Sequence, residues 1–184
     1  MQRRIRHAEL RDAPAIADIY NQGIAERAAT FETTPRSAAD IEGRLVDRDR
    51  FPLMVLEERG TVIGWAAVAS YRPRACYSGV GEFSIYVDRA DRGRGLGRQL
   101  LEALVEAARA RGYWKLVSRI FPFNTASRAL CRACGFREVG VYEKHGFLGG
   151  RWIDVVIVER LIPENLSQPA TTARRERPAT SGEE

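Results

Sequence analysis

Apolar residues follow two rhythms along the chain. Ile16, Ile19, Tyr20 and Ile24 recur at helical spacing, with Asp12 where an N-cap belongs and Pro14 in the first turn. This predicts a helix ending near Glu26. A β-branched and aromatic loop, AATFETTP, follows. Ile41, Leu45 and Val46 give a second helix its apolar face, and Ser37 with Asp40 forms a variant capping box ahead of it. QLLEALVEAARARG is strongly amphipathic and closed by Gly112, and NTASRALCRACG is a shorter helix closed by Gly135. RIRHA, FPLMVLEE, VIGWAAVASY, VGEFSIYV, KLVSRIF, FREVGVYEKHG and RWIDVVIVERLI have the length and residue types of strands, the second and third joined as a hairpin through RGTV. The predicted order is β-α-α-β-β-β-α-β-α-β-β. That is an α/β chain with a mixed central sheet of about seven strands and four helices, antiparallel in its middle. A doubly wound nucleotide fold would alternate strictly and begin on a glycine-rich turn, whereas this chain keeps its glycines for the middle.

The 184 residues suit one domain, predicted over 1–162. Residues 163–184, rich in Thr, Pro, Arg and Glu, are expected to form a mobile tail. Hydrophobic residues make up 45%, which excludes wholesale disorder, and no run reaches the ~18 apolar residues of a membrane span. The charged start, MQRRIRHAELRDA, lacks the apolar stretch of a signal peptide, so a cytoplasmic protein is expected. Cys131 and Cys134 form a C-x-x-C, but only His7 and His145 stand beside the three cysteines, so no zinc set is read. The pair ends a helical run rather than starting one, so no helix N-terminus lowers a thiol pKa. Both read as small buried residues, and no metal is expected. Net charge is +5; the tail carries three arginines against four glutamates, so the rest holds +6. Such a surface suits nucleic acid or a small polyanion, and the position of the arginines decides between them.

Arg92-Gly93-Arg94-Gly95-Leu96-Gly97 lies between a strand and the longest helix, with Arg98 following. Amides at a helix start lack intrahelical partners, and the macrodipole adds positive potential there. Gly95 and Gly97 let a phosphate approach the backbone, and Arg92, Arg94 and Arg98 add charge-assisted bonds. The basic residues cluster where a pyrophosphate would sit, and no base-stacking aromatic pattern accompanies them, which argues against nucleic acid.

EFSIYVDRADRGRGLGRQLLEALVEAARARG resembles the acetyl-CoA site of GNAT-type N-acetyltransferases, whose signature Q/R-x-x-G-x-G/A is matched by Arg92, Gly95 and Gly97. Asn124 before a short helix and Gly135-Phe136 is similar to the family's downstream motif. The resemblance covers about residues 3–162. TFET (30–33), YRPRACY (71–77), Glu82-x-x-x-Tyr86-Val87 and GRW-x-D-V (150–155) resemble the phosphinothricin branch, with its methionine sulfoximine and arsinothricin enzymes. The resemblance implies acetyl-CoA as co-substrate, an amino-acid analogue with a tetrahedral, oxygen-rich side-chain group as acceptor, and a homodimer.

Acetyl transfer needs a neutral amine, yet an α-amine is mostly protonated near neutrality. Glu82, among the apolar Val80, Phe83 and Ile85, is a carboxylate that is expensive unless used or paired. The resemblance assigns it the base. It also assigns the backbone of Ile85, Tyr86 and Val87 to the pantetheine arm and thioester carbonyl, and Asn124 and Ser127 to the same arm. A tyrosine that protonates the leaving thiolate in many relatives is replaced here by Cys131, which leaves water, the substrate ammonium, Tyr86 or His145 for that step. Arg72 and Arg74, two apart, project to one side if extended and grip one anion together, and Phe31 lines the acceptor's apolar part. Other readings are an acetyltransferase for a protein N-terminus or polyamine, and a non-catalytic acetyl-CoA-binding module.

Overall fold

The computed structural model describes residues 3–166. Its strands are β1 (Arg3–His7), β2 (Leu53–Glu58), β3 (Thr61–Ser70), β4 (Val80–Val87), β5 (Lys115–Ile120), β6 (Arg137–Leu148) and β7 (Arg151–Leu161). The helices are α1 (Ala13–Glu26), α2 (Ala38–Leu45), α3 (Leu96–Ala110) and α4 (Thr125–Ala133). The order is the one the apolar pattern predicts. The seven strands form one sheet, β1-β2-β3-β4-β5-β7-β6, in which only β4 and β5 run parallel.

Helices cover both faces, which is why β2 reads as an unbroken apolar run rather than an alternating one. Leu53, Val55, Trp65 and Ala67 face α1 and α2, against Ile16, Ile19, Ile41 and Leu45. Met54, Leu56, Ala66, Val68 and Phe83 face the other way, under Leu100, Leu101 and Leu104 of α3. Cys131, Cys134 and Phe136 close that second core beside α4, and both cysteines are buried free thiols.

The sheet divides at its parallel joint. β4 and β5 pair only at Val80–Lys115, Gly81–Leu116 and Glu82–Val117. Beyond Glu82, β5 keeps its antiparallel partner β7, Ser118–Ile120 lying against Val158–Val156. β4 meanwhile stays on β3 as far as Val87, opposite Gly64. The two strands therefore part, and 83–87 of β4 have no strand on the β5 side.

Three details depart from the sequence reading. Asp12 stands at the N-cap of α1, but its side chain makes no cap bond. It turns back instead, accepting from the Glu9 amide at 2.8 Å and from both Arg6 Nη atoms at 2.6 and 2.8 Å. Burial alone would raise its carboxyl pKa, but the bonds from Arg6 and Glu9 outweigh that and hold it below the ordinary value. Second, α3 starts at Leu96, so Gly97 and Arg98 lie in its first turn rather than in the loop. Third, the chain stays docked past Ile162: Pro163–Asn165 form a short 3-10 turn, and Asn165 Nδ2 donates to the carbonyls of Arg109 and Tyr113, both at 2.8 Å. The expected mobile segment from 167 onward lies outside the described residues. Ser37 and Asp40 do form the reciprocal capping box of α2.

Candidate active site

The glycine–arginine segment forms a cradle at the start of α3. Gly95 is the N-cap, with φ +74°, a left-handed conformation that needs glycine, and no side chain among the described residues caps the helix's free amides. A Cβ built on Gly95 meets nothing within 4 Å, so the space beside this N-cap is open. At Gly97 a Cβ would lie 3.1 Å from Leu130 Cδ2, so its smallness also seats α3 on α4. Leu96 is buried, which leaves only its backbone for a ligand.

The cradle's arginines are already paired. Arg92 Nη1 donates to Glu26 at 2.8 Å and its Nε to the Val87 carbonyl at 3.1 Å. Arg94 Nη2 reaches both Glu58 oxygens at 3.0 Å and its Nη1 contacts Asp91, while Arg98 Nε bonds Glu102 at 2.8 Å. Arg3 and Arg94 together hold the Glu58 carboxyl below its ordinary pKa. These side chains are positioned at the cradle's rim but share their charge with carboxylates.

Where β4 and β5 part, a cleft of about 560 Å³ opens. Phe31, Glu82, Tyr86, Asn124, Ser127 and His145 all line it, together with Ile85. Glu82 sits at the fork itself, the last β4 residue paired with β5. Its Oε1 accepts from Arg119 Nε at 2.9 Å and also contacts Arg119 Nη2. Its Oε2 has no hydrogen-bond partner among the described residues. The pairing expected of an inward carboxylate is thus met by a residue that sequence reasoning passed over. The signal was the same one that exposed Glu82: a charge set in an apolar strand, KLVSRIF.

Ile85 and Val87 turn their side chains to the α3 core, so the β4 backbone beside the cleft is what they offer. Tyr86 turns the opposite way. Its ring stacks on Trp65 at 4.9 Å and meets Tyr20 edge-on at 5.0 Å. Burial, reinforced by Tyr20, pushes its phenol pKa above the ordinary value, so it is a poor proton donor. Cys131, in the place of the missing tyrosine, is pushed by burial up to about 12.

His145 reaches the cleft because β6 bulges. Tyr142 pairs with Val155 and Gly146 with Ile153, four steps on one strand against two on the other. Lys144 takes φ +47°, and its amide donates to Asp154 Oδ1 at 2.7 Å, pinning the bulge. Beyond it Gly146 gives Phe31 room: a Cβ there would fall 2.4 Å from the Phe31 ring, which packs edge-on against Phe121 at 4.7 Å. Asn124 caps α4 by accepting from the Ser127 amide at 3.1 Å, and its Nδ2 donates to the Ala28 carbonyl at 3.2 Å. One side chain thus ties α4 to the loop that carries Phe31.

Arg72 and Arg74 do not line this cleft; both are exposed beside a separate depression with Tyr77 and Tyr113. The segment is not a strand: the chain bends at Pro73 and Arg74, and Ala75–Tyr77 then fold into a 3-10 turn with Arg74 at its N-cap. The Arg72 guanidinium lies instead over the Tyr71 ring at 5.3 Å. Within one chain they do not form an acceptor wall with Phe31. Among the described residues, no cluster of His, Cys, Asp and Glu is arranged to hold a metal ion, and no helix is long and apolar enough to cross a membrane.

Residues 5–157 match a family model described as an acetyltransferase (GNAT) domain. An L-methionine sulfoximine/L-methionine sulfone acetyltransferase of Pseudomonas aeruginosa is 36% identical over 172 residues, spanning 92% of this chain and 100% of that protein. A GNAT superfamily phosphinothricin acetyltransferase from Sinorhizobium meliloti, solved in complex with acetyl-CoA, superposes with a TM-score of 0.85 at 34% identity, covering 94% of this chain and 95% of its own. A ribosomal-protein-alanine N-acetyltransferase from Brucella melitensis superposes with a TM-score of 0.83 at 36% identity, covering 86% of this chain and 99% of its own.

Proposed function

From the premise that the chain belongs to the GNAT acetyltransferase family, with acetyl-CoA as its co-substrate, we propose that it acetylates the α-amine of a small amino-acid analogue. The acceptor carries a tetrahedral, oxygen-rich side-chain group, as in phosphinothricin, methionine sulfoximine or arsinothricin, and acetylation disarms it. The observation that carries this reading is a carboxylate with one anchored and one free oxygen, standing where the unpaired edge of β4 begins. A base and the β4 main chain facing away from β3 lie side by side, as acetyl transfer to an amine in a ternary complex requires.

Acetyl-CoA, bound along that edge, supplies the thioester carbonyl. Amides at the start of α3, with Gly93 and Gly95 between them and the rim arginines, receive the pyrophosphate. The main chain of β4 at Ile85, Tyr86 and Val87, on the side turned away from β3, holds the pantetheine arm as a missing strand would, and an amide there polarises the carbonyl. Asn124 and Ser127 flank the arm from α4. Glu82 Oε2 takes the amine proton, directly or through water, while Arg119 keeps Oε1 fixed. His145, aimed inward by the β6 bulge, serves the proton required by the leaving thiolate; Tyr86, whose phenol burial keeps protonated, shapes the wall instead. Phe31 packs against the acceptor's side chain. Val139, Val141, Phe147 and Trp152, exposed on the β6–β7 hairpin, suit burial against a second copy of the chain, and the reading includes a homodimer acting in the cytoplasm.

Likeness to a ribosomal-protein-alanine N-acetyltransferase favours a second reading, a peptide N-terminus as acceptor. Thiol release from acetyl-CoA decides between them, measured with phosphinothricin, methionine sulfone, methionine sulfoximine, an alanine-initiated peptide and spermidine. Turnover of the amino-acid analogues with little on peptide or polyamine supports the first reading. The reverse pattern overturns it.

A further inference from the structure

We propose that Arg119 binds the acceptor's α-carboxylate, and so selects free α-amino acids over peptide N-termini and other amines. This rests on the reading above, in which the amine is delivered to Glu82.

Arg119 lies on the β5 side of the fork, its Nε 2.9 Å from Glu82 Oε1. In an α-amino acid the amine and the carboxylate share one carbon. A ligand whose amine meets Glu82 therefore has its carboxylate beside Arg119, while its tetrahedral group lies several bonds further on, toward Phe31. Glu82 occupies the guanidinium from the side, through Nε and Nη2. The terminal fork of Nη1 and Nη2 keeps donors that have no acceptor among the described residues, and that fork matches a carboxylate bidentately. The side chain is 49% exposed, so a ligand in the cleft can reach it.

Charge leaves little competition for the role. Among the described residues that line the cleft, the charged or titratable groups besides Tyr86 and Cys131 are Glu32, Glu82, Arg119, His145 and Tyr20. Glu32 is paired with Arg36 at 2.5 Å. Arg119 is the one guanidinium, since Arg72 and Arg74 border a different depression. A peptide N-terminus offers an uncharged carbonyl at this point, and a polyamine brings a second cation into it. The same arginine thus separates the acceptor classes by charge.

The test uses L-methionine sulfone, whose side chain is uncharged, against its carboxamide, each with acetyl-CoA and read by thiol release. The wild type should favour the acid in kcat/KM by about ten- to a hundredfold, the scale of one or two charge-assisted bonds. In Arg119→Gln the acid's KM should rise by that factor, the amide should lose far less, and the ratio should fall toward one. Arg119→Lys should recover part of the ratio. The KM for acetyl-CoA should hold in both variants, which also reports that they are folded. If acid and amide fall together through kcat, Arg119 only positions Glu82 and the proposal is wrong. If Arg119→Gln impairs phosphinothricin but not methionine sulfone, it reads the side-chain anion instead, and the proposal is again wrong. A wild type that acetylates peptides and no amino-acid analogue overturns the functional reading itself, a pattern visible before any variant is made.

Discussion

Gly146→Ala tests how the acceptor wall is built. A methyl at this position would fall 2.4, 2.6 and 2.9 Å from three atoms of the Phe31 ring, well inside contact distance. The backbone cannot easily yield, because Gly146 is paired with Ile153 in the β6–β7 ladder just past a pinned bulge. The ring must move, and its edge-on contact with Phe121 at 4.7 Å goes with it. Forcing a methyl into a filled site costs about 1–3 kcal/mol, and an aromatic pair is worth about 0.5–1.5 kcal/mol of that. For a chain of this size a loss of 1–3 kcal/mol lowers Tm by roughly 2–12 °C. A displaced Phe31 also leaves the cleft wall incomplete, so the acceptor KM should rise severalfold while the KM for acetyl-CoA holds. The decisive assay is a double-mutant cycle with Phe31→Ala, read by Tm. With the ring gone the added methyl meets open space, so Gly146→Ala should cost at least about 1 kcal/mol less in that background. Equal costs in both backgrounds would refute the steric account.

Three other variants probe separate parts. Glu82→Gln should cut turnover by about 10²–10⁴-fold with acetyl-CoA affinity intact, measured by steady-state kinetics and calorimetry; a loss under threefold at neutral pH would make Glu82 a structural partner of Arg119. Gly95→Asp puts a side chain and a negative charge on a left-handed N-cap facing the cradle, so acetyl-CoA binding should be abolished, and near wild-type affinity by calorimetry would mean the phosphates lie elsewhere. Asp12 is held below its ordinary pKa in the fold, so its contribution is complete above the unfolded value of about 4 and is lost as pH falls through the folded one. Asp12→Asn should therefore lower Tm by several degrees at pH 7, and the gap should begin to narrow below about pH 4 and close as pH falls through the folded pKa; a gap independent of pH would exclude the Arg6 ion pair as its source.

Order and type of elements were legible because each rests on local chemistry: one-sided apolar spacing in α1 and α3, a capping box at Ser37, β-branched runs in β5 and β7. Glu82 was legible for a related reason, since a carboxylate in an apolar strand must answer to something. Its partner was not, because Arg119 is 37 residues away and meets it only where two parallel strands fork. The fork itself has no local cause in β4 or β5. It follows from β7 holding the end of β5 while β3 holds the end of β4. Where Arg72 and Arg74 lie was not legible because alternation implies a common side only in a strand, and the chain bends at Pro73 and Arg74 before turning at Ala75. The packing use of Gly97 was not legible because its partner, Leu130, is far along the chain.

The unpaired run of β4 has a bearing on solubility. A strand with free N–H and C=O groups at a surface is a template on which another chain can build, and proteins ordinarily blunt such edges with charge, bulges or a covering loop. Here the open edge is recessed between the two halves of the sheet, with α4 and the loop carrying Phe31 joined across it by Asn124. A neighbouring chain aligned in register would need to bring its own flanking strands, and those would collide with β5 and α4. A single slender arm can enter the gap. The shape that leaves hydrogen-bonding groups free for a thread-like ligand therefore also withholds them from another sheet, so this edge needs no protecting lysine or proline of its own.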